Sequence, residues 1–516
     1  MLLHEVAATS ADVAATSRRL EKIGRLAECL RRAAPADVPI VVAYLSGELR
    51  QRRTGLGYAA LRELPSPADK PTLKLAGVDA EFEAIAILSG PGSATQRRER
   101  FAALMAQATD VEQRLLAGLV SGDLRQGALD GLFTEALAKA TDLPSRDVRH
   151  AIMLAGRVAP VAAAALADGA AGLATFALTV GSPVRPMLAS SAASTREAFD
   201  KTGTPAACEW KHDGIRVQVH RRGDKVAIFT RTLDDVTDRL PDIATTIGAL
   251  PVESLIVDGE AIALDGEGRP LPFQQTASRV GRKLDVPAAA AATPLSLFVF
   301  DCLHLDGTDF IGAPGSERAA ALQRAVPDTL RTPRLVTDSP EAADEFFREA
   351  LDAGHEGLVV KSLAAPYDAG RRGAAWVKLK PHHTLDLVIL GVEWGSGRRT
   401  GKLSNLHLGA RDPDGRFGPP GGFVMLGKTF KGLTDAMLEW QTTTLEELAE
   451  GSTDQWALTV RPELVVEIAF DGVQTSPRYP AKVALRFARV IRHRPDKPAT
   501  EANTIDEVLA IAGMLS

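Results

Sequence analysis

Lys211-His212-Asp213-Gly214 stands between two segments that read as strands, 205–210 and 215–220. A lysine held at the end of a strand, ahead of a tight turn, can act as a covalent nucleophile. Four residues with one free position recur by chance, so the tetrapeptide alone decides little. Its weight comes from the motifs that follow it in order down to Arg489.

Trp376-Val377-Lys378-Leu379-Lys380 alternates like a half-buried strand. A period of two puts Lys378 and Lys380 on one face and Val377 and Leu379 on the other. Two neighbouring cations repel in solvent and are stabilised when they face a polyphosphate. An exposed strand face is the plain alternative. Asp258-Gly259-Glu260 closes an apolar run, Leu255-Ile256-Val257, and reads as the end of a strand. A carboxylate there is placed to meet a ribose hydroxyl or a metal, or else the segment is a hairpin turn. Glu356-Gly-Leu-Val-Val-Lys361 has a carboxylate at the head of an apolar strand and a lysine at its foot. In Leu297-Phe298-Val299-Phe300-Asp301, Phe300 either belongs to the core or stacks on a base, worth roughly 1–3 kcal/mol. Arg486, Arg489 and Arg492, with Asp496-Lys497 behind them, form a basic run that would otherwise be a solvated face.

The chain has 516 residues, too many for one core, and its 45% hydrophobic and 24% charged content is that of an ordinary globular protein. A net charge of −5 does not advertise a nucleic-acid partner. Basic patches would have to be local. Candidates are Arg50-Gln-Arg-Arg53, Arg97-Arg-Glu-Arg100, Arg371-Arg372, Arg398-Arg399 and 486–497. Only 16 of the 60 basic residues are lysines, so each lysine is worth following. Cys29, Cys208 and Cys302 are far apart and odd in number, which predicts a reducing compartment and excludes a four-cysteine zinc site. The start of the chain has no basic, apolar leader pattern, and no apolar run is long enough to span a bilayer.

Three regions follow from composition and periodicity. Residues 1–180 read as helical, with Leu20, Ile23, Ala27 and Leu30 at helical spacing, Ser10 as an N-cap and Pro35 as a stop. Similar patterns recur at 97–108, 111–120 and 129–140. Arg125-Gln126-Gly127 lies between two of them, either as an interhelix turn or as a phosphate-binding helix entrance. Residues 181–204 have the composition of a linker. From there to 381 the chain mixes strands and helices, with a hairpin over 216–230 about Gly223-Asp224. After His383 it becomes β-rich, with one helix over 434–449, and has the size of a small barrel domain.

The set of motifs resembles that of the ATP-dependent DNA ligases, a branch of the covalent nucleotidyltransferases. The carrying residues are Glu209-Trp-Lys211-His-Asp-Gly-Ile-Arg216, Thr230-Arg231, Asp258-Gly-Glu260, Phe298-Val-Phe300-Asp301, Glu356 to Lys361, Trp376 to Lys380 and Arg486-Phe-Ala-Arg489. The likeness is closest to bacterial ligases of the B type. It implies a multidomain fold: an all-α DNA-binding domain over 1–180, an α+β adenylation (nucleotidyltransferase) domain over 181–382, and a C-terminal OB-fold β-barrel over 383–516.

The resemblance also implies roles. Lys211 takes AMP from ATP. Glu209 and Arg216 hold adenine and ribose, and Phe300 stacks on the adenine. Arg231 contacts the phosphate of AMP or of the nick. Glu260 and Glu356 bind ribose or Mg²⁺. Arg372, Lys378 and Lys380 touch the nucleotide and its phosphates. Arg486 and Arg489 orient the pyrophosphate leaving group. Thr230 and Ala488 depart from the serine and proline usual in their motifs. The implied reaction has three steps: lysyl-AMP, AMP on the 5′-phosphate of nicked duplex DNA, and attack by the 3′-hydroxyl. A lysine titrates near 10.4 in water. A field of cations from Lys378, Lys380 and the arginines is therefore expected around it. A monomeric, cytoplasmic enzyme that closes on DNA through a hinge at 381–384 completes the expectation. RNA ligases and mRNA-capping guanylyltransferases share Lys-x-Asp-Gly but usually lack a large helical domain before it. An NAD-dependent ligase would bring a zinc module, and none is visible.

Overall fold

Apolar residues spaced at about 3.6 build the first third of the chain. In the computed structural model, helices α1 (Leu3–Ala15), α2 (Arg19–Arg32), α3 (Val38–Leu45), α4 (Leu75–Ala86), α5 (Ser93–Ala106), α6 (Asp110–Ser121), α7 (Asp130–Thr141), α8 (Ser145–Ala155) and α9 (Val158–Leu173) follow one another. The structure describes residues 1–514 apart from 52, 125–129, 370, 371, 382 and 453–455, with the backbone alone at 130, 372, 398, 451 and 452. Ile23, Leu26, Ala27 and Leu30 of α2 enter one core with Val6, Tyr44, Phe82, Phe101 and Phe133. Leu20 is 80% exposed and stays outside it. Ser10 is not an N-cap but a buried residue inside α1. Arg125-Gln126-Gly127 falls outside the described residues.

Among the described residues these strands follow: β1 (Leu188–Ser191), β2 (Ala206–Lys211), β3 (Ile215–Arg222), β4 (Lys225–Thr230), β5 (Ser254–Ala263), β6 (Leu295–Leu305), β7 (Thr308–Asp309), β8 (Arg334–Thr337), β9 (Gly357–Ser362) and β10 (Arg372–Leu379). They form two five-stranded sheets, ordered β1-β10-β9-β2-β8 and β4-β3-β5-β6-β7. Helices α10 (Thr195–Thr202), α11 (Pro241–Gly248), α12 (Phe273–Gly281), α13 (Val286–Ala292), α14 (Gly315–Ala325) and α15 (Pro340–Asp352) lie among them. The first sheet buries Cys208, Leu358, Val360, Val377 and Leu379 with Phe199 of α10 and Ala343 of α15. The second buries Val217, Val219, Val257 and Val299 with Ile243 of α11 and Leu322 of α14.

The segment read as a linker is largely built into this body. It contains β1 and α10, and its extended start is pinned by side chains of β3. Gly181 N–H donates to His220 Nδ1 at 2.9 Å, and Val184 N–H donates to Gln218 Oε1 at 2.8 Å. Arg185 Nε donates to the Gly156 carbonyl just after α8 at 2.9 Å. Met153 and Leu154 of α8 share a core with Val184, Met187, Ile256 and Trp376. The chain divides by its contacts into two compact units, Met1–Leu379 and Lys380–Ser516.

The second unit holds β11 (His383–Trp394), β12 (Leu403–Asp412), β13 (Gly422–Thr429), α16 (Asp435–Glu447), β14 (Ala449–Ser452), β15 (Ala457–Val460), β16 (Val465–Phe470), β17 (Gly472–Thr475), β18 (Val483–Arg486), β19 (Arg489–Arg494) and α17 (Ile505–Ile511). The order β13-β12-β11-β15-β14 is extended where β16 pairs with both β11 and β19, while β17 and β18 pair separately. Among the described residues no pairing closes this sheet on itself. Long β11 serves three partners, since it pairs with β16 over residues 383–388, with β15 over 391–393 and with β12 over 388–394, where the register breaks near Gly391 and again before Trp394. The three cysteines are buried and unpaired. Among the described residues no helix is long and apolar enough to cross a membrane.

Candidate active site

Alternation along the strands sorts side chains between the cores and the space between the two sheets. On β2, Cys208 goes to the core, so Ala207, Glu209 and Lys211 take the other face. Register then aligns Glu209, Val359 and Lys378 in one row of the first sheet, with Ala207, Lys361 and Trp376 in the next. On the second sheet Arg216, Glu260 and Phe298 form a row. Contacts join the two faces. Lys361 Nζ donates to the Phe300 carbonyl at 3.0 Å, and the Arg216 guanidinium lies 5.5 Å from the Trp376 ring centre.

Lys211 ends β2, and its carbonyl accepts from Glu356 N–H at 2.9 Å. Its ammonium is paired with the Glu356 carboxylate. Glu260 stands close by. Burial pushes its carboxyl up to about 7, with Lys211 and Arg216 opposing the rise and Glu356 and Asp213 reinforcing it. The group paired with the amine is thus an acid, where the sequence had led us to expect a ring of cations. Gly259 sits mid-strand in β5, so Asp258-Gly259-Glu260 neither ends a strand nor turns. A Cβ on Gly259 would come within 2.9 Å of Leu297 Cδ1 and 3.0 Å of the Phe298 carbonyl oxygen.

Asp258 and Glu260 lie two apart and share a face, yet they have different surroundings. Asp258 is 1% exposed and is consumed internally. It accepts from Arg216 at 2.7 Å, Tyr367 Oη at 2.6 Å and Gln218 Nε2 at 3.3 Å. Arg216 also donates to the Met187 carbonyl at 2.6 Å. Burial opposes its charge, and Asp258 more than restores it, so the guanidinium is held firmly protonated. Arg216 therefore braces the cleft wall, and of the two carboxylates in Asp258-Gly259-Glu260 the first is taken up in an internal ion pair.

Glu209, 3% exposed, is paired with Lys361 and, at 3.1 Å, with Arg334. Burial lowers the Lys361 ammonium, against the pull of Glu209 and Asp301. The Lys361 ammonium also lies 4.6 Å from the Phe300 ring centre. Glu209 and Phe300 open onto a cavity of about 380 Å³ that Arg331, Thr332, Arg334 and Val336 also line. An ionised acceptor beside an aromatic face can read the amino edge of a base.

His212 and His355 meet Nδ1 to Nδ1 at 3.2 Å. Burial, then each other's proximity and Lys211, brings His212 down to about 3, and burial brings His355 down to about 4. His220 is likewise lowered to about 4 by burial, with Asp258 opposing and His304 reinforcing. Its folded value lies below the roughly 6.5 of an unfolded histidine, so the unfolded chain takes up the proton first. The stability it contributes is complete above that value and lost as pH falls from about 6.5 toward 4. A wild-type thermal midpoint that drops over this window, with a shallower drop in His220→Gln, is the expected result. The contribution is up to about 3 kcal/mol. Identical acid limbs in the two proteins would contradict it.

The remaining predicted residues are dispersed. Lys378 lies in the cleft-facing row, one position past the core residue Val377. Lys380 belongs to the second unit and pairs with Asp471 at 3.3 Å. Arg231 is exposed at the turn after β4. The side chain of Arg372 is outside the described residues. Arg486 ends β18 and Arg489 begins β19. Between them Phe487 is 58% exposed with φ +55°, and the ammonium of Lys431 and guanidinium of Arg486 lie 5.7 and 5.8 Å from its ring centre. Other basic clusters are partly neutralised: Arg50 by Asp79, Arg100 by Glu81, Arg492 by Glu467, and Arg494 and Lys497 by Asp386. Arg334, Tyr367 and His355 had not been singled out. Arg334 opens the short strand β8, and Tyr367 and His355 lie between regular elements, so no periodic pattern marks them.

The chain matches known proteins along nearly its whole length. Family models described as "ATP dependent DNA ligase domain", "ATP dependent DNA ligase C terminal region" and "DNA ligase N terminus" match residues 186–380, 399–497 and 58–138. A "Probable DNA ligase" of Mycolicibacterium gilvum (strain PYR-GCK) is 58% identical over 512 residues, 99% of each chain. "DNA ligase B" of Mycobacterium tuberculosis (strain CDC 1551 / Oshkosh) is 56% identical over 513 residues, 99% of this chain and 100% of that one. The chain belongs to the ATP-dependent DNA ligase family. The solved structure named "Pmar-Lig_PreS3" shares the fold, with a TM-score of 0.64 at 18% identity over 95% of this chain and 99% of that one.

Proposed function

We propose that the protein seals breaks with a 3′-hydroxyl and a 5′-phosphate in duplex DNA, carrying AMP from ATP on Lys211. The carrying observation is the Lys211–Glu356 pair at the end of β2, on the strand face that also carries Glu209, with Lys378 in the row of Glu209. Three bonds change in turn. The Lys211 amine attacks the α-phosphorus of ATP and pyrophosphate leaves. The 5′-phosphate oxygen of the DNA attacks the same phosphorus and the amine leaves. The 3′-hydroxyl then attacks the DNA phosphorus, and AMP leaves.

Phe300 stacks on the adenine and Glu209 accepts from its amino group. Lys378, Lys380, Arg372, Arg231, Arg486 and Arg489 serve the phosphates. Among the described residues, no group of three or more acids, cysteines or histidines is arranged to hold a metal unaided. Mg²⁺ is usually held by one or two carboxylates together with substrate phosphates, so Glu260 and Glu356 suit it. Bound there, it would neutralise charge building on the phosphates.

The second unit fits an OB-type barrel domain, and its Arg399–Phe430 and Arg486–Phe487 pairs suit a sugar–phosphate backbone. A hinge at 381–384, of which His382 is outside the described residues, lets one domain serve both adenylation and DNA. The likeness to proteins named DNA ligase over nearly the full length speaks against capping or RNA ligation.

Incubation with α-labelled ATP, GTP or NAD tests the reading. Label should survive denaturation from ATP alone, and nicked duplex should then be sealed. Label from GTP, or sealing without ATP, would overturn it. DNA affinity should fall about a thousandfold between 50 and 200 mM salt with little change between sequences, as phosphate contacts require. A flat salt profile in a filter-binding titration would remove the proposed backbone grip.

A further inference from the structure

The residue after the nucleophile and the residue before its acidic partner are both histidines, 143 positions apart. Their backbones are joined, since Glu356 N–H donates to the Lys211 carbonyl at 2.9 Å. Their rings meet edge to face with centres 4.6 Å apart. Each ring is held from its other side. His212 stacks on Phe298 at 4.4 Å and 21°, and His355 lies 5.0 Å from Trp210, which in turn packs on Phe346.

The contact runs between two Nδ1 atoms, so one must carry a hydrogen and the other must be bare. His212 Nε2 is buried and has no hydrogen-bond partner. A hydrogen there would be a buried donor with nothing to receive it. The arrangement that avoids this puts the hydrogen on His212 Nδ1 and leaves His355 Nδ1 as acceptor. The bond is therefore directional, from the nucleophile's neighbour to the neighbour of its acidic partner.

We propose that His212 and His355 are positioning residues for adenylation: their shared hydrogen bond fixes Lys211 against Glu356 so that the amine meets ATP in one orientation. Neither ring needs to touch the nucleotide. Small misplacement of a reacting group costs large factors in rate, which is what such a brace prevents.

The inference rests on Lys211 being the nucleophile, and the test separates the two. Single-turnover transfer of label from α-labelled ATP is measured across ATP concentrations for wild type, His355→Leu, His355→Asn and His212→Phe. Leucine removes the acceptor, asparagine restores one near the Nδ1 position, and phenylalanine keeps the stack on Phe298 while removing the donor. His355→Leu and His212→Phe should slow transfer by about 10- to 100-fold, with half-saturating ATP within about twofold of wild type. His355→Asn should regain most of the rate. A purely structural role would lower the melting point without this split or this rescue. If His355→Leu does not fold, His212→Phe decides alone. Wild-type rates in either variant, or His355→Asn no faster than His355→Leu, would overturn the positioning role. Absence of label on the wild type would instead remove the nucleophile itself.

Discussion

Lys211→Ala should retain no label from α-labelled ATP after denaturation, a loss of at least about 10⁴-fold in adenylation. The reason is local. Lys211 is the amine brought to Glu356 at the end of β2, and the neighbouring lysines Lys361 and Lys378 sit in different rows of the sheet. Alanine also strips Glu356 of its partner, so Lys211→Arg is the better control, because it keeps a positive charge beside that carboxylate without a usable nucleophile. Both variants should still seal a nick that already carries AMP on its 5′-phosphate, since that last step needs no lysyl adduct. Mass spectrometry that located the adduct on another residue of wild-type enzyme would refute the assignment.

Asp258→Ala should be the most damaging single change to the body of the first unit. It leaves the Arg216 guanidinium, 16% exposed, without its anion, and it strands Tyr367 and Gln218. Removing one partner of a buried ion pair costs about 3–5 kcal/mol, because the other charge remains desolvated. Asp258→Asn keeps one acceptor oxygen, which can serve Tyr367 in place of the Oδ2 it replaces, and its loss should be smaller. The denaturant midpoint of the isolated proteins measures both. An alanine variant as stable as wild type would mean that the network contributes nothing.

Much of this was legible before any coordinates. Alternation over 376–380 placed Lys378 opposite Val377 and Leu379, and both apolar residues are buried as the period requires. The hairpin about Gly223-Asp224 stands where the turn residues put it, between β3 and β4. What stayed hidden depends on contacts distant in sequence. Asp258 and Glu260 look alike in a string of letters, and it takes Arg216, Gln218 and Tyr367, the last more than a hundred positions away, to turn the first inward. The linker composition at 181–204 concealed β1 and α10, because Pro and Ser around a short strand resemble a loop. That Lys211 is paired with Glu356 could not be seen by counting cations, since charge sums carry no distance. Residues expected around one nucleotide are spread over two compact units, with Lys378 in one and Lys380 in the other.

The seam between α8 and the strands has a mechanical consequence. His220 and Gln218 hold the backbone at Gly181 and Val184, Arg185 reaches back to Gly156, and Met153 and Leu154 share a core with Trp376. The helical third is thereby tied to both strand sheets within one compact unit, Met1–Leu379. If the enzyme closes on a duplex by a swing, that motion falls to the unit that begins at Lys380 and not to the helical third.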